Sequence, residues 1–232
     1  MATTRRGLIA GGGALLLAGC AGRVAPSLVA NPVNRTAPTS AVTMPVDPAA
    51  TAIPDLVDLV VHDPRILIDI RYATPHNFMH RQLYPIARAM AQRPAAEALS
   101  RVQTRAEAHG FGLLIHDAYR PWSITKMMWD ETPEAQREFV ANPATGSRHN
   151  RGCAIDLTLH RSGVAVDMPS PYDDFTVAAY RWNMAASGEA LANAARLEGW
   201  MVREGFIPLP NEWWHFDWKD WRNYPVMDQP LG

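Results

Sequence analysis

The middle of the chain contains the segment Ser147-Arg148-His149-Asn150-Arg151-Gly152-Cys153-Ala154-Ile155-Asp156-Leu157. Its second half alternates like a β-strand, so that Ile155 and Leu157 share one face and Asp156 points to the other. His149 precedes it in a loop that ends at Gly152. An ionised carboxylate between buried apolar neighbours is costly without a charge partner, and Zn²⁺ accepts both imidazole nitrogen and carboxylate oxygen. The segment leaves two interpretations open: a metal site, or a loop histidine hydrogen-bonded to Asp156.

The sequence around this segment mixes helical and strand patterns. Apolar spacing predicts one helix that begins near Pro94 and stops at Gly110, and another over Ser187–Glu204. Residues 123–140 are expected to be helical in pieces that break near Pro133. Short strands are predicted at Ile66–Ile70, Phe111–Ile115, Ala154–Leu159, Phe206–Leu209 and Trp213–Trp218. Because strands and helices do not alternate regularly, the sequence predicts an α+β fold with a small, mainly antiparallel sheet flanked by helices.

A second segment near the C-terminus reads Asn211-Glu212-Trp213-Trp214-His215-Phe216. A glutamate three residues before a histidine can supply a general base and a metal ligand. In a regular strand Glu212 and His215 would face opposite ways, so a bulge or a turn would have to bring both to one pocket. Taken alone, the segment also fits an aromatic core strand with a surface glutamate and a hydrogen-bonded histidine.

The two segments together offer three metal ligands, His149, Asp156 and His215. Three protein ligands leave the fourth position of a zinc ion to water, which is the arrangement of catalytic zinc sites. Glu212 then remains as a proton acceptor and donor, beside a water molecule whose pKa zinc lowers from about 15.7 to roughly 7. Cys153 is not expected to be a fourth ligand, because strand alternation turns it away from Asp156.

The composition fits one globular domain with a sizeable core. The chain has 232 residues, of which 47% are hydrophobic and 19% charged, too apolar for a disordered protein. Its 22 basic residues against 23 acidic ones indicate no nucleic-acid footprint. Two cysteines, Cys20 and Cys153, do not suffice for a disulfide scaffold. No apolar run reaches the roughly 18 residues that a membrane-spanning helix needs.

The first fifty residues are typical of an export signal and a tether. Arg5 and Arg6 precede the apolar run Gly7–Leu17, and Cys20 follows shortly after. This pattern resembles a bacterial lipoprotein signal over residues 1–20, with Cys20 as the lipidated first residue after cleavage. The arginine pair fits twin-arginine export as well as the general route. Proline-rich residues 21–50 predict a disordered tether, and residues 51–232 a folded catalytic domain. We therefore expect an exported, periplasmic protein anchored in a membrane.

The chain resembles a known family in several segments that follow one another in order. The two ligand segments match as Ser147-x-His149-x-x-Gly152-x-Ala154-Ile155-Asp156 and Glu212-Trp213-Trp214-His215. Shorter matches are Arg71-Tyr72-Ala73-Thr74, Asp117-Ala118-Tyr119-Arg120-Pro121 and Met168-Pro169-Ser170-Pro171-Tyr172-Asp173. Together they resemble the D-alanyl-D-alanine dipeptidases of the vancomycin-resistance type, within the wider group of zinc D-Ala-D-Ala peptidases. The resemblance spans about residues 55–225.

The resemblance implies roles for the metal-site residues. His149, Asp156 and His215 would hold one Zn²⁺. Glu212 would take a proton from the attacking water and later deliver it to the leaving amine.

The resemblance also implies roles for residues around the substrate. Arg120 would stabilise the oxyanion of the tetrahedral intermediate; the alternative is a structural ion pair with Asp117. Asp173 would receive the ammonium group of the substrate, and Tyr72 and Ser147 would line the dipeptide slot.

Two departures from the family pattern affect these expectations. Pro169 replaces a glycine of the family segment, which removes a backbone donor near Asp173. Cys153 stands where the family commonly has a small hydroxyl residue. In addition, the neighbouring Asp174 could take the part of Asp173.

The resemblance implies hydrolysis of D-Ala-D-Ala, or a close D-amino dipeptide, in cell-wall peptide turnover or salvage. One alternative is a zinc carboxypeptidase that trims D-Ala from peptidoglycan stem peptides. Asp173 argues against it, since a long stem carries no free ammonium at that end of the slot. Another is a non-catalytic envelope lipoprotein that binds wall peptides, although such a protein has no need for all four metal-site residues. No protein partner is expected.

Overall fold

A computed structural model describes residues 42–232 of the chain. This part contains eight short strands and four α-helices. The strands are β1 (Leu56–Asp58), β2 (Leu67–Ile68), β3 (Met90–Gln92), β4 (Gly112–Asp117), β5 (Ala154–Arg161), β6 (Val164–Ala165), β7 (Phe206–Pro208) and β8 (His215–Trp218). The helices are α1 (Leu59–His62), α2 (Arg93–Glu107), α3 (Trp122–Glu131) and α4 (Gly188–Arg203).

The strands form a large and a small sheet. The large sheet has the order β2-β4-β5-β8-β7, with β6 paired to β5, and the small sheet pairs β1 with β3. All pairs are antiparallel except β2 with β4. The long connection between β2 and β4, which contains β3 and α2, permits that parallel pairing. The predicted α+β fold is confirmed, and the mainly antiparallel sheet is more exactly a mixed one.

Helix α2 forms where the apolar spacing predicts it. Ala98, Leu99, Val102 and Ala106 are buried along one face. Pro94 lies in the first turn, where a missing backbone N–H costs nothing. The helix ends at Glu107, and Gly110 follows with a φ of +76°.

Helices α3 and α4 also begin and end for identifiable reasons. Helix α3 ends at Glu131, before Pro133, and a 3₁₀ turn over Glu134–Phe139 follows. The predicted break near Pro133 is therefore confirmed. At the start of α4, Oγ of Ser187 accepts a hydrogen bond of 3.1 Å from the backbone N–H of Ala190.

Strand β5 lies at the centre of the large sheet and separates the core from the cavity. Its residues Ile155, Leu157 and Leu159 are fully buried in the apolar core. Helices α2 and α4 contact each other, and they pack against β4 and β5. Asp156, between the core residues, instead lines a cavity.

The predicted strand Trp213–Trp218 is shorter in the structure and begins at His215. Trp213 lies outside the sheet, because its backbone N–H donates to the carbonyl oxygen of Ala179 at 3.0 Å. The backbone N–H of Leu209 donates to the carbonyl oxygen of His215 at 3.2 Å and closes a turn ahead of β8. A turn therefore precedes His215. A bulge or a turn was expected here from the spacing of Glu212 and His215.

The N-terminal predictions fall mostly outside the described residues. The export signal over residues 1–20, including Cys20, and residues 21–41 of the predicted tether are not described. In the remaining part of that tether, the carboxylate of Asp47 pairs with Arg151 at 3.2 Å. The domain thus makes contacts upstream of residue 51. Within residues 42–232, no helix combines the length and hydropathy needed to cross a membrane.

Gly152 connects the His149 turn to β5. Its replacement tests how closely this connection is packed. Its φ is +65°, and an added Cβ would overlap the side chain of Leu56 and lie 3.4 Å from the backbone nitrogen of Gln92. Gly163 has a φ of +84° but open space around it. A left-handed backbone costs a non-glycine residue about 1–2 kcal/mol, so both Gly→Ala changes should lower the melting temperature. Gly152→Ala should lower it clearly further, because only this variant adds a clash.

The measurement is thermal unfolding of the two variants beside the wild type. For a domain of this size, each kcal/mol corresponds to roughly 2–4 °C. Equal shifts for the two variants would contradict the claim that close packing, and not the backbone angle alone, requires glycine at residue 152.

Candidate active site

Three buried side chains converge where β5 and β8 lie side by side. Asp156 on β5 and His215 on β8 are paired directly across the antiparallel ladder, and His149 reaches them from the 3₁₀ turn before β5. Nδ1 of His215 lies 3.0 Å from Oδ1 of Asp156 and 3.2 Å from Nε2 of His149. Nε2 of His149 lies 3.4 Å from the same carboxylate oxygen. The three residues expected to bind metal therefore present one ligand atom each to a common point.

The other nitrogen of each imidazole is held by a hydrogen bond. Nδ1 of His149 donates to the carbonyl oxygen of Ala118 at 2.6 Å, and Nε2 of His215 donates to Oδ1 of Asp217 at 2.9 Å. Such bonds orient a ring so that its free nitrogen faces the metal. Asp217 was not predicted from the sequence. The signal was its position two residues after His215, on the same face of a strand.

The charges around this point favour a cation. Burial opposes ionisation of Asp156, but the two imidazoles hold the pKa of its carboxyl well below the usual range. Burial by itself lowers the pKa of His215, yet Asp217 and Asp156 raise this pKa to about 10. Two imidazole nitrogens and a carboxylate oxygen, all within 4.8 Å of one another, form the donor set of a catalytic zinc site. The residues present fit a zinc ion.

Cys153 takes no part in this cluster. Its buried Sγ lies 3.4 Å from the carbonyl oxygen of Arg151. The ligand group found within residues 42–232 comprises His149, Asp156 and His215 alone. Cys153 precedes β5 and, as expected, does not belong to the ligand group.

Glu212 lies in the turn before β8 and not on the strand. This turn brings its Oε2 to 3.7 Å from Nδ1 of His215. Burial raises the pKa of Glu212 to about 7, against the opposing effect of His215, and the charge of Asp156 adds to the rise. A carboxyl group with a pKa near neutrality can accept a proton and return it in the same reaction.

Arg120 joins a buried ion pair at the edge of the metal site. Its Nε and Nη2 donate to Oδ2 of Asp117 at 3.0 and 2.7 Å, and the hydroxyl of Tyr84 donates to Oδ1 at 2.8 Å. Nη2 of Arg120 also lies 4.0 Å from Oδ2 of Asp156. The pair with Asp117, one of the two interpretations of Arg120, is therefore real. This ion pair does not keep Arg120 out of the cavity, because Arg120 still lines it beside the ligands.

A cavity of about 210 Å³ opens beside the three ligands. This is smaller than the roughly 300–1,000 Å³ of pockets for drug-sized ligands, so it suits a small molecule. The apolar part of its wall consists of Phe78, Phe139, Phe175 and Trp214 among others. All eight residues singled out from the sequence line it, namely Tyr72, Arg120, Ser147, His149, Asp156, Asp173, Glu212 and His215.

Asp173 supplies a second carboxylate to this cavity. Its Oδ1 accepts a hydrogen bond of 3.0 Å from the hydroxyl of Tyr72, whereas its Oδ2 is buried without a partner in the described part of the chain. Burial, together with the charge of Asp156, raises the pKa of Asp173 to about 8. Asp174 does not line the cavity. A buried carboxylate oxygen without a partner is costly, and a ligand that donates hydrogen bonds would relieve that cost.

Ser147 lies at the cavity wall next to His149. Its Oγ accepts a hydrogen bond of 3.2 Å from the backbone N–H of His149. This bond leaves the hydroxyl hydrogen of Ser147 available to a ligand in the cavity.

Several known proteins are similar in sequence to most of the described domain. The profile of the D-Ala-D-Ala dipeptidase family matches residues 51–230. The D-alanyl-D-alanine dipeptidase of Escherichia coli strain K12 is 33% identical over 174 residues, which cover 75% of this chain and 89% of that protein. The D-alanyl-D-alanine dipeptidase of Enterococcus faecium is 32% identical over 184 residues, which cover 71% and 90%.

Among solved structures, one similar chain is the vancomycin resistance D,D-dipeptidase VanXYg in complex with a D-Ala-D-Ala phosphinate analog. It shares 20% identity, covers 58% of this chain and 53% of that chain, and has a TM-score of 0.39. The family profile spans both ligand segments, and the two bacterial dipeptidases each match more than two thirds of the chain. On these grounds the chain belongs to the D-Ala-D-Ala dipeptidase family.

Proposed function

We propose that this protein is a zinc-dependent dipeptidase that hydrolyses D-Ala-D-Ala, or a close D-amino dipeptide, to free amino acids. One observation carries the proposal: a single small cavity is lined by the zinc donor set, by Glu212 and by Asp173, whose Oδ2 has no partner among the described residues. A metal site beside a proton-transferring carboxyl suits peptide hydrolysis. A second carboxylate in so small a space suits a substrate with a free ammonium group.

Zinc held by His149, Asp156 and His215 would supply Lewis acidity, which polarises a carbonyl and makes water a stronger acid. In the hydrolysis, water adds to the peptide carbon, the C–N bond breaks, and the leaving amine gains a proton. We assign to Glu212 the acceptance of a proton from the attacking water and its return to that amine, which its position 3.7 Å from His215 supports. Burial raises the pKa of Glu212 above the usual value of a carboxyl, which favours acceptance of the proton.

The guanidinium of Arg120 is assigned to the negative charge that develops on the carbonyl oxygen. The two hydrogen bonds to Asp117 fix its orientation before the reaction starts. A pre-oriented cation beside developing charge in a buried site stabilises a transition state by several kcal/mol.

The remaining polar groups are assigned to the ends of the dipeptide. The carboxylate of Asp173 receives the ammonium, which favours the ionised form of this group. The hydroxyl of Tyr72 holds that carboxylate in place, and the hydroxyl of Ser147 donates to the substrate. A carboxypeptidase that acts on long stem peptides has no free ammonium to place at Asp173. A protein that only binds wall peptides has no use for Glu212.

Replacement of Glu212 tests the catalytic assignment. Glu212→Gln keeps the size of the side chain but removes proton transfer, so turnover of D-Ala-D-Ala should fall by about 10²–10⁴-fold. Zinc content, measured by atomic absorption, should stay near one ion per chain. His215→Ala is the contrasting variant and should lose zinc as well as activity. Turnover close to that of the wild type in Glu212→Gln would refute the role of this residue.

A blocked substrate tests the assignment of Asp173. N-acetyl-D-Ala-D-Ala lacks the ammonium, so the wild-type enzyme should cleave it far more slowly than the free dipeptide. A charge-assisted hydrogen bond contributes about 1.5–3 kcal/mol, which predicts a loss of roughly tenfold or more in kcat/KM for Asp173→Asn on the free dipeptide.

Asp174→Asn is the matched control for this experiment, since Asp174 adjoins Asp173 outside the cavity. Its kcat/KM should equal that of the wild type. Equal rates of the wild type on free and acetylated substrate would instead favour the carboxypeptidase alternative.

We also propose that the enzyme acts in the periplasm, in cell-wall peptide turnover or salvage, anchored to a membrane through a lipid on Cys20. The support is the sequence alone: Arg5 and Arg6, the apolar run Gly7–Leu17, and Cys20 shortly after it. One acyl-bearing cysteine anchors by burial of methylene groups, at roughly 0.8 kcal/mol each.

Cell fractionation tests the anchor. The full-length protein should partition with membranes, and Cys20→Ser should prevent lipid attachment and move the protein out of the membrane fraction. Cys153→Ser is the control, because this buried thiol lies in the folded domain and should not affect partitioning. A Cys20→Ser protein that stays membrane-bound would disprove the lipid anchor.

A further inference from the structure

The two oxygens of the Asp156 carboxylate have different surroundings. Oδ1 faces the imidazoles of His149 and His215. Oδ2 accepts a hydrogen bond of 3.1 Å from the hydroxyl of Tyr172, and it receives no other hydrogen bond from the described residues. The nearest cationic atom to it, Nη2 of Arg120, is 4.0 Å away. One phenol therefore satisfies the oxygen of Asp156 that points away from the ligand cluster.

Three aromatic rings hold the ring of Tyr172 in place. The ring of His116 lies against it, with centroids 4.8 Å apart and an interplanar angle of 36°. Trp214 and Tyr72 contact it edge-on, with centroids 5.4 and 6.3 Å away. His116 is itself fixed, because its Nδ1 lies 3.3 Å from the carbonyl oxygen of Asp69. A ring enclosed on three sides presents its hydroxyl in one direction.

We propose that Tyr172 is a positioning residue for the zinc ligand Asp156. A carboxylate can rotate about its Cβ–Cγ bond, and this terminal torsion has a broad energy minimum. The Tyr172 hydroxyl restricts that rotation by holding Oδ2, and so directs Oδ1 toward the two imidazoles. Hydrogen bonds to ligating carboxylates act in this way in metal sites, and their loss typically costs 10–100-fold in metal affinity.

The adjacent residues Tyr172 and Asp173 connect the metal site with the substrate cavity. Tyr172 bonds to Asp156, while the next residue, Asp173, takes a φ of +60° and directs its carboxylate into the cavity. The left-handed backbone at Asp173 lets two adjacent side chains serve two different parts of the site. This inference rests on the metal site of the proposed function but does not depend on which peptide is cleaved.

Tyr172→Phe tests the inference, since it removes only the hydroxyl and keeps the ring between its three neighbours. The zinc dissociation constant is measured by competition with a chelator, and we expect a 10–100-fold increase. Tyr119→Phe is the matched control: its hydroxyl is also used in a hydrogen bond, but to the backbone carbonyl of Gln229 at 2.9 Å. This control should keep the wild-type dissociation constant.

Two further measurements separate positioning from a general structural effect. Metal-free Tyr172→Phe should melt several degrees below the metal-free wild type, because the loss of one hydrogen bond to a buried oxygen costs about 1–3 kcal/mol, but it should remain folded at the temperature of the zinc titration. The visible spectrum of the Co²⁺-loaded variant should differ from the wild-type spectrum, because the ligand field changes. An unchanged zinc dissociation constant, or a Co²⁺ spectrum identical to that of the wild type, would overturn the inference. None of these readouts uses peptide hydrolysis, so they fail or succeed independently of the proposed reaction.

Discussion

The site depends on one buried contact, in which the carboxylate of Asp156 lies between the imidazoles of His149 and His215. A lone carboxylate at this depth would be strongly destabilising, and so would two charged imidazoles. The antiparallel register of β5 and β8 places Asp156 directly opposite His215, and Gly152 lets the chain carry His149 to the same point. Together the three groups supply the donors and the negative charge that hold a cation, and the catalytic arrangement is organised around that cation.

Three side chains at this contact have fixed hydrogen-bond partners. Asp217 orients His215, Asp117 orients Arg120, and Tyr172 bonds to the second oxygen of Asp156. Such outer contacts restrict the side chains before a substrate arrives, which is the condition for electrostatic stabilisation of a transition state. The carboxylate of Asp173 is the contrasting case. One of its oxygens has no partner among the described residues, so this oxygen is open to a hydrogen-bond donor of a ligand.

Much of the fold could be predicted from local patterns, and the exceptions have physical causes. Apolar spacing placed α2 and α4 within a few residues, because a helix that buries one face must repeat that face every turn. The sequence did not predict where β8 begins, since the aromatic run around Trp213 reads as a strand. Its backbone bonds outside the sheet, to Ala179, and that contact is remote in sequence. The parallel pairing of β2 with β4 escaped prediction for the same reason.

The sequence by itself determined the residue types of the site, because metal ligation and proton transfer require particular side chains at recognisable spacings. It could not decide between the two interpretations of Arg120, or between Asp173 and Asp174. Only the tertiary structure shows that Arg120 both pairs with Asp117 and lines the cavity, and that Asp173 lines it whereas Asp174 does not. It also reveals Asp217 and Tyr172 as partners of the ligands. Their roles depend on distances between segments tens of residues apart, such as the 3.1 Å between Tyr172 and Asp156. Distances of this kind follow from strand register and packing, which no local pattern encodes.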